Sequence, residues 1–222
     1  MTKVRVIAGV SLVVLALAAA LCAVRISEVN AAYPEHKTIS YAMGEAVPAP
    51  SGAGGAEEGG VCMEILDFTV VDADEFSSRY PGYTRGSEGS EDRAVVLVAW
   101  IELRATGREA SRASLSSVHL QSGAWANGMD AIAYQVMNDN LGANLKIEPG
   151  ETAFVAVPFS VSSSYIGRND LQSFVSDGDF SLVVSVYPDK VSVDLGIPRE
   201  TGADIDTDAV AEAPGEEGGE AS

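Results

Sequence analysis

The sequence predicts a mostly β fold, an antiparallel β-sandwich of seven or eight strands preceded by one N-terminal transmembrane helix. Three observations carry this reading. An uncharged apolar run lies near the N-terminus, several short segments alternate apolar and polar side chains with period two, and Gly, Pro, Asn and Asp punctuate them roughly every ten to fifteen residues, with no long amphipathic helix. A β-barrel is the alternative closure of the same strands. With 222 residues the chain has room for one such domain and its appendages.

The elements follow in order. Residues 1–5 form a short N-terminus carrying Lys3 and Arg5, and residues 6–24, VIAGVSLVVLALAAALCAV, contain no charge. A helix of that length spans about 28 Å, close to the hydrocarbon thickness of a bilayer. The basic residues ahead of it favour a cytoplasmic N-terminus, which places everything after Arg25 outside. Two readings compete with an uncleaved anchor: cleavage after the small residues Ala18-Ala19-Ala20, which would release a secreted domain, and lipidation at Cys22. Against cleavage, the apolar run continues unbroken to Val24, and against lipidation, Leu21 stands where a small residue is usual.

Residues 25–60 are expected to be a juxtamembrane segment ending in the linker PAPSGAGGAEEGG, whose composition cannot pack. The sandwich is expected over 61–198. VCMEILDFTVVDA opens it as a strand, with Leu66, Phe68 and Val70 on one face. Residues 72–92, rich in Gly, Ser and charge, read as a long exposed connection. RAVVLVAWIEL, residues 93–103, is apolar on both alternations, as a central strand covered on both faces would be. SLSSVHLQS (114–122) and AIAYQVM (131–137) read as shorter strands, with GAWANGMD as the turn between them.

Pro149 and Gly150 occupy the middle of a tight turn that opens the strand 152–161, with Val155, Val157, Phe159 and Val161 on one face. NDLQSFVSD suggests a short helical turn capped by Asn169. FSLVVSVYP gives a strand with Phe180, Leu182, Val184 and Val186 aligned, and a last short strand covers 190–195. The tail, 199–222, is acidic and too polar to order itself.

These residues carry a resemblance. VNAAYPEHKTISYAMGEAV after an anchor, followed by RAVVLVAWIEL and IEPGETAFVAVPFSVS, resembles the extracytoplasmic immunoglobulin-like domains of bacterial lipoproteins and membrane-anchored proteins, and is similar to the small secreted antigen sandwich of mycobacteria. The likeness covers about residues 29–195 and rests on strand patterns and one Pro-Gly turn. It implies an immunoglobulin-like fold outside the cytoplasm, and it brings no catalytic residue. The segment 72–92 and the acidic tail have no place in that pattern.

Charge and residue types narrow the function. The formal charge of −18, from 32 acidic and 14 basic residues, repels phosphate backbones and anionic head groups, so nucleic-acid binding is disfavoured. Cys22 and Cys62 are too far apart in setting to pair, which leaves Cys62 a small buried hydrophobe. The two histidines, His36 and His119, give no triad pattern, and neither a G-x-S-x-G elbow nor a phosphate-binding glycine loop occurs. Asp204, Asp206 and Asp208 alternate like a calcium loop but lack its later ligands, Gly215 standing where a bidentate Glu belongs. Asp72, Asp74 and Glu75 are the better weak-cation candidates.

Among the aromatics, Trp100 reads as core, and Trp125 reads as a sheet-edge packer or an exposed contact anchor; Tyr134 and Tyr165 are also singled out. No catalytic, cofactor-binding or metal-ligating residue is assigned. The expected function is therefore a non-enzymatic, membrane-anchored extracytoplasmic binding or accessory module that engages an envelope or transporter partner. The alternative is an extracytoplasmic small-molecule or divalent-cation sensor.

Overall fold

A computed structural model of the chain describes residue 17 and residues 19–28, 37–50, 60–83, 93–166, 171–186 and 189–200. The chain divides into two compact units, Met1–Lys37 and Thr38–Ser222. In the first unit, residues 19–28 are helical and exposed, and Arg25 pairs with Glu28 at 2.9 Å. Among the described residues no helix is long and apolar enough to cross a membrane. Most of the expected span 6–24 lies outside them.

The second unit is a β-sandwich. One sheet has the order β1 (Thr38–Ala42), β11 (Lys190–Gly196), β10 (Phe180–Ser185), β6 (His119–Ser122) and β7 (Trp125–Gly128). The other runs β12 (Arg199–Glu200), β3 (Val61–Asp72), β4 (Ala94–Ala105) and β9 (Thr152–Ser162), with β2 (Val47–Pro48) also on β3. A small third pair joins β5 (Ser111–Ser114) and β8 (Asn144–Ile147). The separate sheets rule out the barrel alternative.

The main core lies between the two large sheets. Met63, Ile65 and Phe68 of β3, Leu97, Ala99, Ile101 and Leu103 of β4, and Val155, Val157, Phe159 and Val161 of β9 meet Leu120, Phe180, Leu182, Val193 and Leu195 from the facing sheet. These are alternate residues on each strand, except that a bulge between Ile65 and Asp67 shifts β3 so that Phe68 faces inward and Leu66, expected on its face, is 40% exposed. The other set on β4 is buried too: Val96 and Val98 are 0% and 1% exposed, as the doubly apolar segment predicts. What covers them is a pair of seven-residue helices, α1 (Ala73–Arg79) and α2 (Ala131–Met137). Phe76, Tyr83 and Ala133 close over Val71, Val96, Val98 and Ala156 in a second apolar cluster.

Both helices correct the sequence reading. Residues 73–79 were expected in an exposed connection, yet Asp72 caps α1 by accepting from the Asp74 amide at 2.8 Å, and Phe76 is buried. AIAYQVM was expected as a strand. Asp130 instead accepts from the Ile132 and Ala133 amides at 3.0 Å each, a cap that fixes the first helical turn. Helical spacing then sends Ala133 to the second cluster and Tyr134 to the main core, so α2 lies along the outer edge of β9.

The middle of that edge is capped by side chains and one backbone amide. The Ala156 amide donates to Asn138 Oδ1 at 2.9 Å, while Asn138 Nδ2 donates to the Ala156 carbonyl at 2.9 Å, as a neighbouring strand would. The Asp130 amide donates to the Pro158 carbonyl at 2.8 Å, and Asn127 Nδ2 to the Ser160 carbonyl at 2.7 Å. Proline has no N–H to satisfy, so these bonds close the edge from Ala156 to Ser160 against another chain.

Further differences from the sequence reading sit at the margins. The sheets take in β1 and β2, where residues 25–60 were read as juxtamembrane segment and linker, and β12 lies past residue 198. Twelve strands are present among the described residues, not seven or eight, and β1 with β11 and β3 with β12 pair in parallel, so the sandwich is not wholly antiparallel. WANG of the expected turn GAWANGMD is strand β7; the turn is Gly123-Ala124, with Gly123 at φ +58° in the first central position of a two-residue hairpin. Pro149-Gly150 forms the expected turn, with Gly150 at φ +80°. Val186 is 64% exposed and outside β10. The helical turn expected after 169 is present as α4 (Leu171–Ser176), following the short α3 (Ser163–Ile166). Asn169, residues 51–59 and the tail from 201 lie outside the described residues.

Candidate functional site

The residues singled out by sequence are not drawn together. Cys22 and Cys62 are both free thiols, Cys62 half-buried on β3 opposite Pro48 and Arg104. His119 is half-buried on β6 between Val183 and Gly128 of the neighbouring strands. His36, Asp204, Asp206 and Asp208 lie outside the described residues, as does the side chain of Tyr165. Asp72 is occupied as a helix cap, and Glu75 pairs with Arg79 at 3.2 Å. Among the described residues no three His, Cys, Asp or Glu side chains gather as metal ligands would.

A polar cluster that sequence reasoning missed joins Tyr83, Asp130 and Ser160. The Ser160 hydroxyl donates to Asp130 Oδ2, and the Tyr83 hydroxyl lies 3.3 Å from the same oxygen and 3.1 Å from Ser160 Oγ. With two backbone amides on Oδ1, the Asp130 carboxylate is fully engaged in holding α2 and the end of α1's segment against β9. Among the described residues its partners are hydroxyls and amides, which clasp the start of α2 and Tyr83 to β9. The only sequence signal was an Asp directly before the apolar pattern of residues 131–137.

Trp100 is half-buried on the outer face of β4 and donates its indole N–H to Thr69 Oγ1 at 3.2 Å. Trp125 is different. Its ring packs edge-on against Phe174 at 5.3 Å and Phe180 at 6.4 Å, and Phe174 and Phe180 meet at 5.5 Å. Gly178 makes this trio feasible, because a Cβ there would collide with the Phe180 ring and the Phe174 carbonyl. The indole thus held, together with Phe174, lines an open cleft of about 520 Å³ bounded by Ala124, Ile166, Ser173 and Asp177. Trp125 therefore both packs at the sheet edge and stays half-exposed.

A second cleft of about 500 Å³ opens at the end of the sheet where β3, β4, α4 and β12 converge. Val70, Val95, Leu171, Val175 and Ile197 line its floor and walls, with Asp72, Glu75, Arg93 and Glu200 around the rim. No single segment encodes it.

Comparison with known proteins adds a family. No curated protein matches the chain. Among solved structures, the chain is similar to an uncharacterized β-sandwich protein from Clostridium difficile 630, with 12% identity, a TM-score of 0.37, and coverage of 73% of this chain and 97% of that one. The family model of a domain of unknown function, DUF5028, matches residues 38–191, from the first strand of the sandwich into β11. The chain belongs to the DUF5028 family.

Proposed function

We propose that this protein is a non-enzymatic binding or accessory module, held at the outer face of a membrane by residues 6–24, that engages an envelope or transporter protein through the cleft at Trp125. The observation that carries the reading is the indole itself. It is held by Phe174 and Phe180 and stays half-exposed beside the cleft that Phe174 also lines, so a partner side chain would meet a large aromatic surface whose ordering is already complete. Tryptophan at such positions dominates protein interfaces because it offers much apolar area with few rotatable bonds. Placement outside the membrane is supported by the uncharged run and the Lys3 and Arg5 that precede it. The kinship with extracytoplasmic immunoglobulin-like domains is part of the same proposal, supported by the two facing sheets.

The test is affinity purification of the full chain from its native membrane in mild detergent, beside Ala124→Arg. Ala124 is exposed at the hairpin turn, so an arginine there crowds the cleft without touching the aromatic packing. A membrane protein retained by the wild type and lost with Ala124→Arg at unchanged thermal stability is the expected result. Recovery of the chain alone, or equal retention by the variant, overturns the proposal.

A further inference from the structure

We propose, resting on the reading of Trp125 as the interaction site, that its cleft takes a proline-rich extended segment of the partner, with a pyrrolidine ring on the indole, a carbonyl on the indole N–H and a basic residue at the rim. The two tryptophans differ in the partner of one atom. The indole N–H of Trp100 donates to Thr69 Oγ1 at 3.2 Å, whereas that of Trp125 has no acceptor among the described residues. No buried side-chain nitrogen or oxygen among them lacks a partner, so the Trp125 N–H is a donor open to water. An occupant that covers the ring must bring an acceptor, or it strands that donor.

Proline brings the acceptor without a new debt. Any other residue laid on the rings adds an N–H that needs a partner of its own; the proline nitrogen carries none, while its carbonyl accepts freely. Its ring sets an apolar surface against Trp125, Phe174 and Ile166, and consecutive prolines hold the extended helix before binding, so little further ordering is lost. A cleft of about 520 Å³ admits a few residues of such a chain and no folded element. At the rim, Asp177 is exposed, and among the described residues its carboxylate accepts from the Ser176 hydroxyl alone, at 3.1 Å. With a formal charge of −18 on the chain, a Lys or Arg beside the prolines is drawn in and an acidic segment is turned away. The chain's own prolines are unsuited. Pro48 pairs with β3, the Pro50 carbonyl accepts from the Ser114 amide at 2.6 Å, and Pro214 stands among Glu212, Glu216 and Glu217.

Three capped peptides separate the contributions: six prolines followed by two arginines, six alanines followed by two arginines, and six prolines followed by two glutamates. Each is titrated into the full chain in a neutral detergent, by calorimetry and by proton–nitrogen correlation spectra of the two indoles, the Trp125 signal being the one absent from Trp125→Phe. The proline–arginine peptide should move the Trp125 signal saturably and leave that of Trp100 in place. Binding should weaken about tenfold or more with either control peptide, and by a similar factor in Trp125→Phe, which keeps a ring and loses the N–H. Asp177→Lys should weaken it too, while Glu109→Lys, an exposed charge reversal in the connection between β4 and β5, should not. If Trp125→Phe melts early, Ala124→Arg takes its place in the calorimetry with the same expected loss. An unmoved Trp125 signal, or equal binding of either control peptide, overturns the proline assignment alone where Ala124→Arg still loses the membrane partner. Retention of that partner by Ala124→Arg overturns the interaction reading and this proposal with it.

Discussion

The two faces of β4 are buried by different means. Its inner residues, Leu97, Ala99, Ile101 and Leu103, are covered by an entire second sheet and belong to a core that spans both layers. Its outer residues, Val96 and Val98, are as inaccessible, but their cover is two short helices and a clasp of hydrogen bonds around Asp130. Helices of seven residues are too short to hold themselves together in water, so they persist here through caps and packing. Equal burial therefore does not mean equal cooperativity. The inner face should be lost only with the whole domain, and the outer cover can open by itself.

Two phenylalanines, each 1% exposed, sharpen this contrast. Phe68 packs on Phe180 of the opposite sheet at 5.7 Å, and Phe68→Ala should cost about 3–5 kcal/mol in a single cooperative unfolding transition. Phe76 of α1 packs on Tyr80 at 4.7 Å and Tyr83 at 4.9 Å. Phe76→Ala should release the amides of residues 73–79 to hydrogen exchange while those of β4 and β9 stay protected. Simultaneous loss of protection in all three would mean that the helical cover and the sandwich are one unit.

Asn138→Ala should have a smaller effect, about 1–3 kcal/mol, because it leaves the amide and carbonyl of Ala156 without partners at the edge of β9. It should also raise self-association, read by light scattering, since an unpaired strand edge templates another chain. An unchanged denaturation midpoint would show that water replaces the side chain at no cost.

The smallest effect is alkaline. Burial pushes the hydroxyl of Tyr134 up from its ordinary value of 10.0, and it does the same to Tyr80 despite the opposing pull of Arg79. The folded state then keeps protons that the unfolded chain gives up, so stability is intact below pH 10 and falls as pH rises above it toward the raised folded values. Urea midpoints measured on either side of pH 10 should fall less for Tyr134→Phe than for the wild type. Identical slopes would remove Tyr134 as a contributor.

Why these features were or were not legible follows from their residues. In VVLVAWIE both alternations are apolar, which forces two covered faces whatever covers them. The cover itself was hidden, because in AIAYQVM the apolar residues satisfy period two and period 3.6 alike, and only Asp130 ahead of them distinguishes a capped helix. β1 escaped notice because its alternation, Ile39 and Tyr41, spans only five residues of an edge strand exposed along most of its length. At Trp125 the missed signal was Gly123, whose left-handed backbone makes Gly-Ala the whole turn and moves the indole into the strand. The valine-floored cleft could not be read at all, since its walls come from four separate stretches that only the sheet order brings together.

The most direct test of a sheet covered on both faces is a pair of chemical-denaturation curves, for Leu97→Asp and Val96→Asp in the full chain. Each carboxylate would be buried without a partner, at a cost of several kcal/mol out of the roughly 5–15 kcal/mol that holds a typical domain together. Both variants should show severe loss of stability, with Val96→Asp retaining at most the small margin gained by opening the helical cover. Collapse of Leu97→Asp beside near-wild-type stability of Val96→Asp would contradict the account, because it would mean that water already reaches the outer face of β4.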